Sequence, residues 1–349
     1  MPMKKILFKL ACLLIPPLRK LSNRINQLTE ENAKLKEENE NNLIPKLHEL
    51  LWAEKDERQS LEEAGIKISP NNFYANIPSV TEIENSFEYS DNVTDKPPYI
   101  ECDIFGSPQE NKHLLETLTH YSSEYCPPTE GDEKEPKGFF WANSQFSFSD
   151  AMSYYSFLRL LQPQNVVEIG SGFSTLVAAD AIKKNRKGKI LCIEPYPREF
   201  IDQLNDIELI KKPAQAISDA WLNNNLTDGD ILFIDSTHTV KTGSDCLHIY
   251  LRLLPKIKHD IYVHVHDIFL PFGIEKNWLI DQHIYWTEQY LLLSFLLDNP
   301  KATFLYGSSY HRYANYDLLK KFMHGRSEIG GASFWFKYSG TDIEISKKF

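Results

Sequence analysis

Two short strings carry most of the ionisable chemistry of this chain: Phe233-Ile234-Asp235-Ser236-Thr237-His238 and Val263-His264-Val265-His266-Asp267-Ile268. Each follows or interrupts an apolar run, so the polar groups stand where a strand would end. Imidazoles and carboxylates gathered at strand exits can move protons near neutral pH, hold a divalent ion, or balance a cationic ligand. A third string, Val166-Val167-Glu168-Ile169-Gly170-Ser171-Gly172-Phe173-Ser174-Thr175, runs an apolar strand into an acidic, glycine-spaced turn and then into a helical pattern. Glycines at such a turn let a ligand press against bare backbone. With Glu168 beside them, the expectation is a nucleotide-type pocket of negative charge.

The ligand class follows from what the turn lacks. A phosphate cradle would show a longer loop ending in Lys-Ser/Thr, or a third glycine where Thr175 stands. Glu168 would repel a pyrophosphate and favour a cation by Coulomb attraction. S-adenosylmethionine (SAM), with a sulfonium and an ammonium and no phosphate, fits. Glu194 ends the next apolar run, where a doubly wound fold places an acid on ribose hydroxyls; this disfavours a 2′-phosphate. Ser174 and Thr175 open the following helix, either capping its free amides or touching the ligand.

These residues need a scaffold that brings strand tips together. Apolar runs at 166–169, 190–193, 208–210, 231–234 and 261–266 alternate with helical patterns from Ser174, around 218–223 and over 244–254, which predicts a parallel sheet with right-handed crossovers. A long helix is expected near 279–297, followed by two more strands at 303–306 and 333–337. Ligands in open α/β sheets lie beyond the carboxyl ends of the strands. If the fourth and fifth strands are neighbours, about 4.8 Å apart, then Asp235, His238, His266 and Asp267 converge. Strand alternation puts His264 and His266 on one face; His264, deeper in the strand, reads as a core histidine and His266 as a site residue.

Residues from about 138 to 338 resemble a class I SAM-dependent methyltransferase, on the Glu168-to-Gly172 motif. The strings at 233–238 and 263–271, together with Gly331-Ala332-Ser333-Phe334-Trp335, resemble a branch common in bacterial surface-glycan gene clusters. The resemblance implies a Rossmann-like, mostly parallel sheet of seven strands with helices on both faces. It implies SAM held by Glu168, Gly170, Gly172, Ser174, Thr175, Glu194, Asp235 and, at the adenine, Gln215. Phe146 and Phe148 would form part of a lid, and Trp286 and Glu288 would wall the acceptor, a sugar hydroxyl in a glycan or its precursor. Methyl transfer to oxygen needs alignment and removal of the hydroxyl proton. His266 is the first choice as base, with His238 and Asp267 behind it. The competing device is magnesium on Asp235 and Asp267, although His266 occupies a position where an ion that wants oxygen is poorly served. Two rival functions share the same residues: an NAD-dependent oxidoreductase, and a methyltransferase-like scaffold without chemistry in a glycan assembly complex.

Composition sets outer bounds. With 349 residues, the chain can bury an α/β core of ordinary size and carry an appendage. A net charge of −10 argues against nucleic-acid partners, which need basic footprints. The five cysteines show neither disulfide nor zinc spacing, which points to a reducing, cytoplasmic compartment. Residues 1–20 are basic and apolar, a candidate for peripheral contact with anionic lipid at the inner face of the membrane. Residues 21–45 space Leu21, Leu28 and Leu35 by seven with Ile25, Asn32 and Asn39 between them, the pattern of a short coiled coil and a homo-oligomer. Residues 46–138 read as a helical and irregular linker region, 139–340 as the methyltransferase domain, and 341–349 as a tail.

Overall fold

The computed structural model describes residues 16–90 and 96–340, so the expected tail at 341–349 and the part of the lipid-facing segment before Pro16 lie outside the described residues. The chain divides after Ser79 into two compact units. In the first, α1 (Pro16–Glu38), a π-helical turn (Asn39–Leu43) and α2 (Ile44–Leu50) follow one another without a break, and α3 (Lys55–Glu63) comes after. Proline suits a helix start because the amide it lacks would have no partner there. Leu21, Ile25, Leu28 and Leu35 are all more than two-fifths exposed. No helix among the described residues is long and apolar enough to cross a membrane.

The second unit begins at Val80. Its helices and strands run α4 (Val80–Glu84), α5 (Pro108–Ser122), α6 (Phe148–Leu161), β1 (Asn165–Ile169), α7 (Phe173–Asn185), β2 (Lys189–Ile193), α8 (Glu199–Asp202), β3 (Ile207–Ile210), α9 (Asp219–Asn225), β4 (Ile231–Ile234), α10 (Asp245–His248), β5 (Ile261–Val265), α11 (Lys276–Ile280), α12 (Glu288–Leu296), β6 (Ala302–Gly307), α13 (Ser308–Ala314), α14 (Tyr316–Met323) and β7 (Phe334–Tyr338). The seven strands form one sheet in the order β3-β2-β1-β4-β5-β7-β6. Pairing is parallel throughout except around β7, which runs antiparallel to both its neighbours. The reversal of order falls between β1 and β4, whose register sets Glu168 beside Phe233 and Ile169 beside Ile234.

Alternation along each strand sends residues to two cores. Val167, Leu232 and Val263 face one core with Leu222 of α9 and Leu292 of α12. Val166, Ile190 and Phe233 face the other, covered by α5, α6, α7 and α14. Within the expected linker region at 46–138, Leu115 and Leu118 of α5 are fully buried in that second core. Two expected helices are interrupted. The one over 244–254 is a short α10 followed by a π turn (Ile249–Leu253) and a 3-10 turn (Leu254–Lys256). The one over 279–297 is α11 and α12 separated by an irregular loop in which His283 takes a left-handed conformation. That loop is what reaches the strand tips: the amides of Thr287 and Glu288 donate to the carbonyl of His238 at 2.8 and 3.0 Å.

Candidate active site

The β1–α7 turn is pinned against the end of β4. The amide of Asp235 donates to Ile169 O at 2.8 Å, and a Cβ on Gly170 would lie 2.1 Å from Asp235 O. Gly170 also has φ +88, so glycine is required there on both counts. Gly172 is different: its backbone is extended and a Cβ there would meet nothing within 4 Å. The space it leaves open belongs to a crevice of about 250 Å³ lined by Ser171 to Ser174, by Arg198, and by the tips of β4 and β5.

Glu168 is not in that crevice. It is fully buried beneath the turn, where Oε1 accepts from the Tyr154 hydroxyl (2.9 Å) and Oε2 from Thr175 Oγ1 (2.6 Å). Burial pushes its pKa up to about 7, against the pull of the Thr175, Tyr154 and Cys192 donors. The negative charge expected of Glu168 in the pocket therefore comes from other residues, because alternation turns this side chain into the core under α6. Thr175 is likewise fully buried, tying Glu168 to the turn by accepting from the Gly172 amide at 3.2 Å. Tyr154 extends the same layer over β4 and β5, its ring 5.0 Å from Phe233 and 5.1 Å from His264. His264 is a core histidine: Nε2 meets Ser333 Oγ at 2.7 Å, the ring stacks on Trp335 at 4.2 Å, and burial holds its pKa well below the usual histidine value.

The charge of the crevice sits at the other strand tips. His238 Nε2 lies 3.2 Å from Asp235 and 3.4 Å from Asp267. His266 Nδ1 lies 3.4 Å from Asp235 and 3.6 Å from Asp267, and its Nε2 is 3.6 Å from Asp150. Parallel neighbours β4 and β5 account for this: the His266 amide donates to Ile234 O at 2.9 Å, which continues the ladder past the strand end. His238 and Asp267 both adopt φ of +57, a conformation that costs a residue other than glycine about 1–2 kcal/mol and clusters at functional sites. Glu288, only 1% exposed, backs His238: Oε2 meets Nδ1 at 2.8 Å and accepts from Ser236 Oγ at 2.8 Å, while Oε1 accepts from Tyr250 at 2.9 Å.

Burial disfavours a charged His238, yet its hydrogen bonds to Asp235 and Glu288 outweigh that and push its pKa up to about 10. His266 is raised well above its ordinary value in the same way, burial being overcome by Asp267 and Asp235. Asp235 keeps about a third of its side chain exposed; desolvation works against its charge, but His266 and His238 hold it well below the usual carboxylate range. Asp267 is raised, because burial outweighs the pull of the same two histidines. Asp235, His238 and Asp267 each offer a ligand atom within 4.8 Å of the others, a geometry that could hold a metal. The donor set is two oxygens and an imidazole nitrogen, which suits a transition ion and serves magnesium poorly. The magnesium expectation on Asp235 and Asp267 thus lacks its third oxygen.

Residues 167–268 match a family model described as a methyltransferase domain. An uncharacterized protein of Archaeoglobus fulgidus is 31% identical over 161 residues, covering 44% of this chain and 72% of that one. The chain and that archaeal protein belong to one family. Its central part is a methyltransferase domain. Among solved structures, a putative O-methyltransferase from Klebsiella pneumoniae is 14% identical with a TM-score of 0.34, covering 68% of this chain and 91% of its own. The O-methyltransferase TomG from Streptomyces achromogenes, in complex with SAM, is 13% identical with a TM-score of 0.35, covering 65% and 90%. At those scores neither likeness bears on the activity of this chain.

The methyltransferase domain brings Gly172, Ser174, Asp235, His238, His266, Asp267 and Trp286 to one crevice, along with Phe146. Trp286 lies with its ring 4.4 Å from that of His238, and Phe146 is 4.9 Å from His266. Phe148 is exposed and Glu288 is behind His238 rather than on the acceptor wall. Glu194 stays at the β2 tip, where Oε1 accepts from the Tyr196 amide at 2.7 Å and Oε2 from that of Ser171 at 3.4 Å. Gln215 is exposed on a 3-10 turn and donates to Gly243 O at 3.0 Å, away from the crevice. Asp150 and Arg198 were not foreseen. Asp150 sits in the first turn of an almost wholly buried helix and accepts from the amides of Ala332 and Ser333 at 2.8 and 2.7 Å, a signal readable only as a lone acid in an apolar helix.

Proposed function

We propose that this chain is a SAM-dependent O-methyltransferase that methylates a hydroxyl of a sugar in a glycan or glycan precursor. The observation that carries it is the crevice at the topological switch point, open above Gly172, with Asp235 and Asp267 on one wall and two histidines between them. The missing Cβ of Gly172 leaves room for a ligand against the backbone, and the carboxylates supply the negative charge a sulfonium seeks. Glu194, at the tip of β2, is placed to accept from ribose hydroxyls. The donor supplies a methyl group on positively charged sulfur.

The rest falls to the protein's own groups. His238 is the better base, in preference to His266. Its Nδ1 is bound to the buried Glu288 carboxylate, which fixes the tautomer and leaves Nε2 facing the crevice, the logic by which a carboxylate orients a catalytic imidazole. His266 instead has its carboxylate neighbours at 3.4 to 3.6 Å on both ring nitrogens, with no close partner that fixes its tautomer. In the free chain His238 holds a proton. With Asp235 engaged by a cation, the Nε2 proton loses one of its partners and is released to solvent, and the freed Nε2 lone pair then accepts the proton of the acceptor hydroxyl. Trp286 beside His238 offers an aromatic face of the kind that packs on the apolar side of a sugar ring. No step needs a metal.

The test is calorimetry with SAM and with NAD, followed by transfer of labelled methyl to purified cell glycans. Tight binding of SAM and labelling lost in His238→Ala are expected. Binding of NAD alone, or labelled product confined to nucleic acid or protein, would overturn the reading.

A further inference from the structure

We propose that residues 16–50 form one strand of a parallel, two-stranded coiled coil with a second copy of this chain. The first unit exposes a row of large apolar side chains: Leu21 at 57%, Ile25 at 50%, Leu28 at 42% and Leu35 at 58%. Their steps of four and three residues, with Asn32 and Asn39 filling the two remaining places, make the 3.5-residue repeat of a left-handed seam.

Continued without interruption, that repeat would put Asn42 in the seam after Asn39 and turn the leucines beyond it aside. The π turn over Asn39–Leu43 removes the mismatch. A π turn takes up one residue more than an α turn, so Leu43 falls where Asn42 would have been. Leu47 and Leu50 then resume steps of four and three. Leu43 and Leu47 are 49% and 41% exposed, so the same apolar row runs on through α2. One irregular turn therefore extends a marginal seam by a further heptad.

The flanks select the occupant. Residues 16–50 carry six basic and six acidic side chains, so no net positive charge draws the segment to an anionic lipid surface. In a parallel pair, the position of Glu31 faces that of Lys36 of the partner subunit, an opposite-charge match that an antiparallel pair does not make. Within the chain Glu31 accepts from Gln27 at 2.8 Å and leaves its second oxygen available. Asn32 and Asn39 meet their own copies only when the two strands are parallel and in register, and asparagine at such places favours two strands.

The experiment uses the full chain. Sedimentation equilibrium at micromolar concentration is expected to give twice the 40.5 kDa chain mass. Leu28→Glu combined with Leu35→Glu is expected to give a monomer whose near-ultraviolet circular dichroism matches the parent, since neither position lies in the second unit. Asn32→Cys is expected to form a covalent dimer on mild oxidation beyond the level of the parent, which carries its own cysteines. A monomeric parent, a higher oligomer, or a dimer that survives the double charge substitution would overturn the proposal. A dimer that is lost in that variant but never cross-links through Asn32→Cys would overturn the parallel register.

Discussion

The acidic ends of β1 and β4 look alike in sequence and behave differently in the fold. Under the β1–α7 turn, Glu168 is sealed among neutral donors, Tyr154 and Thr175, and its pKa drifts up to about 7. Across the crevice, Asp235 stands between two histidines, keeps a third of its side chain exposed and stays charged. The first carboxylate holds the turn in shape; the second faces whatever enters. A carboxylate next to glycines is thus not by itself a ligand contact. Which side of the strand it leaves from decides its role.

Removing His238 tests the exposed corner most severely. His238→Ala should lower kcat about 10²- to 10⁴-fold, the usual span for a general base, with little change in donor affinity. Glu288→Gln should lower kcat less and move the acidic limb of its pH profile, because the tautomer is no longer held by a charge. An unaltered pH profile would mean that Glu288 only packs.

Glu168→Gln probes the sealed corner through stability. Burial raises the carboxyl from near 4.5 to about 7, so the folded chain binds that proton more tightly than the unfolded chain. Its contribution is complete below pH ~4.5 and is lost as pH rises toward 7, on the order of 3 kcal/mol. Thermal unfolding of the glutamine variant should therefore decline less than the parent between pH 5 and pH 8. Parallel declines would show that Glu168 is not the buried acid responsible.

Asp235→Asn should weaken SAM binding by about 10- to 100-fold, the loss of one charge-assisted contact worth roughly 1.5–3 kcal/mol, as read by calorimetry. The same substitution at Glu168 should leave that affinity within a few-fold. Equal losses at both corners would erase the distinction drawn between them.

The two glycines give the finest contrast. Gly170→Ala should cost about 1–3 kcal/mol of stability, because a Cβ would meet Asp235 O at a positive φ. Gly172→Ala should leave the melting temperature nearly unchanged while weakening donor binding, since its Cβ would enter open space. A Gly172→Ala chain that unfolds early would place that glycine in the frame rather than the crevice.

Much of the scaffold could be read from pattern alone. The apolar runs became strands in the expected alternation, and the convergence of Asp235, His238, His266 and Asp267 followed from placing the fourth and fifth strands side by side, as their register shows. What pattern could not supply was the side from which a residue is seen. Glu168 and Thr175 carry the right types at the right spacing, yet alternation and helix phase bury both. Gln215 is turned to Gly243 outside the crevice, and Glu288 is buried behind His238. Arg198 comes to the crevice, and Asp150 to the far side of His266, by long-range packing, for which no local spacing exists. The interruption at 281–287 has no local signal because its reason, contact with His238, lies some fifty residues earlier in the chain.

His238 serves the site twice over, through its ring and through its carbonyl, which receives the amides of Thr287 and Glu288. The second service is written in the main chain and survives any change of side chain. A lineage could therefore exchange the aromatic residues of the 281–287 loop for others, and so change which acceptor is admitted, without disturbing the attachment that keeps the loop at the strand tips.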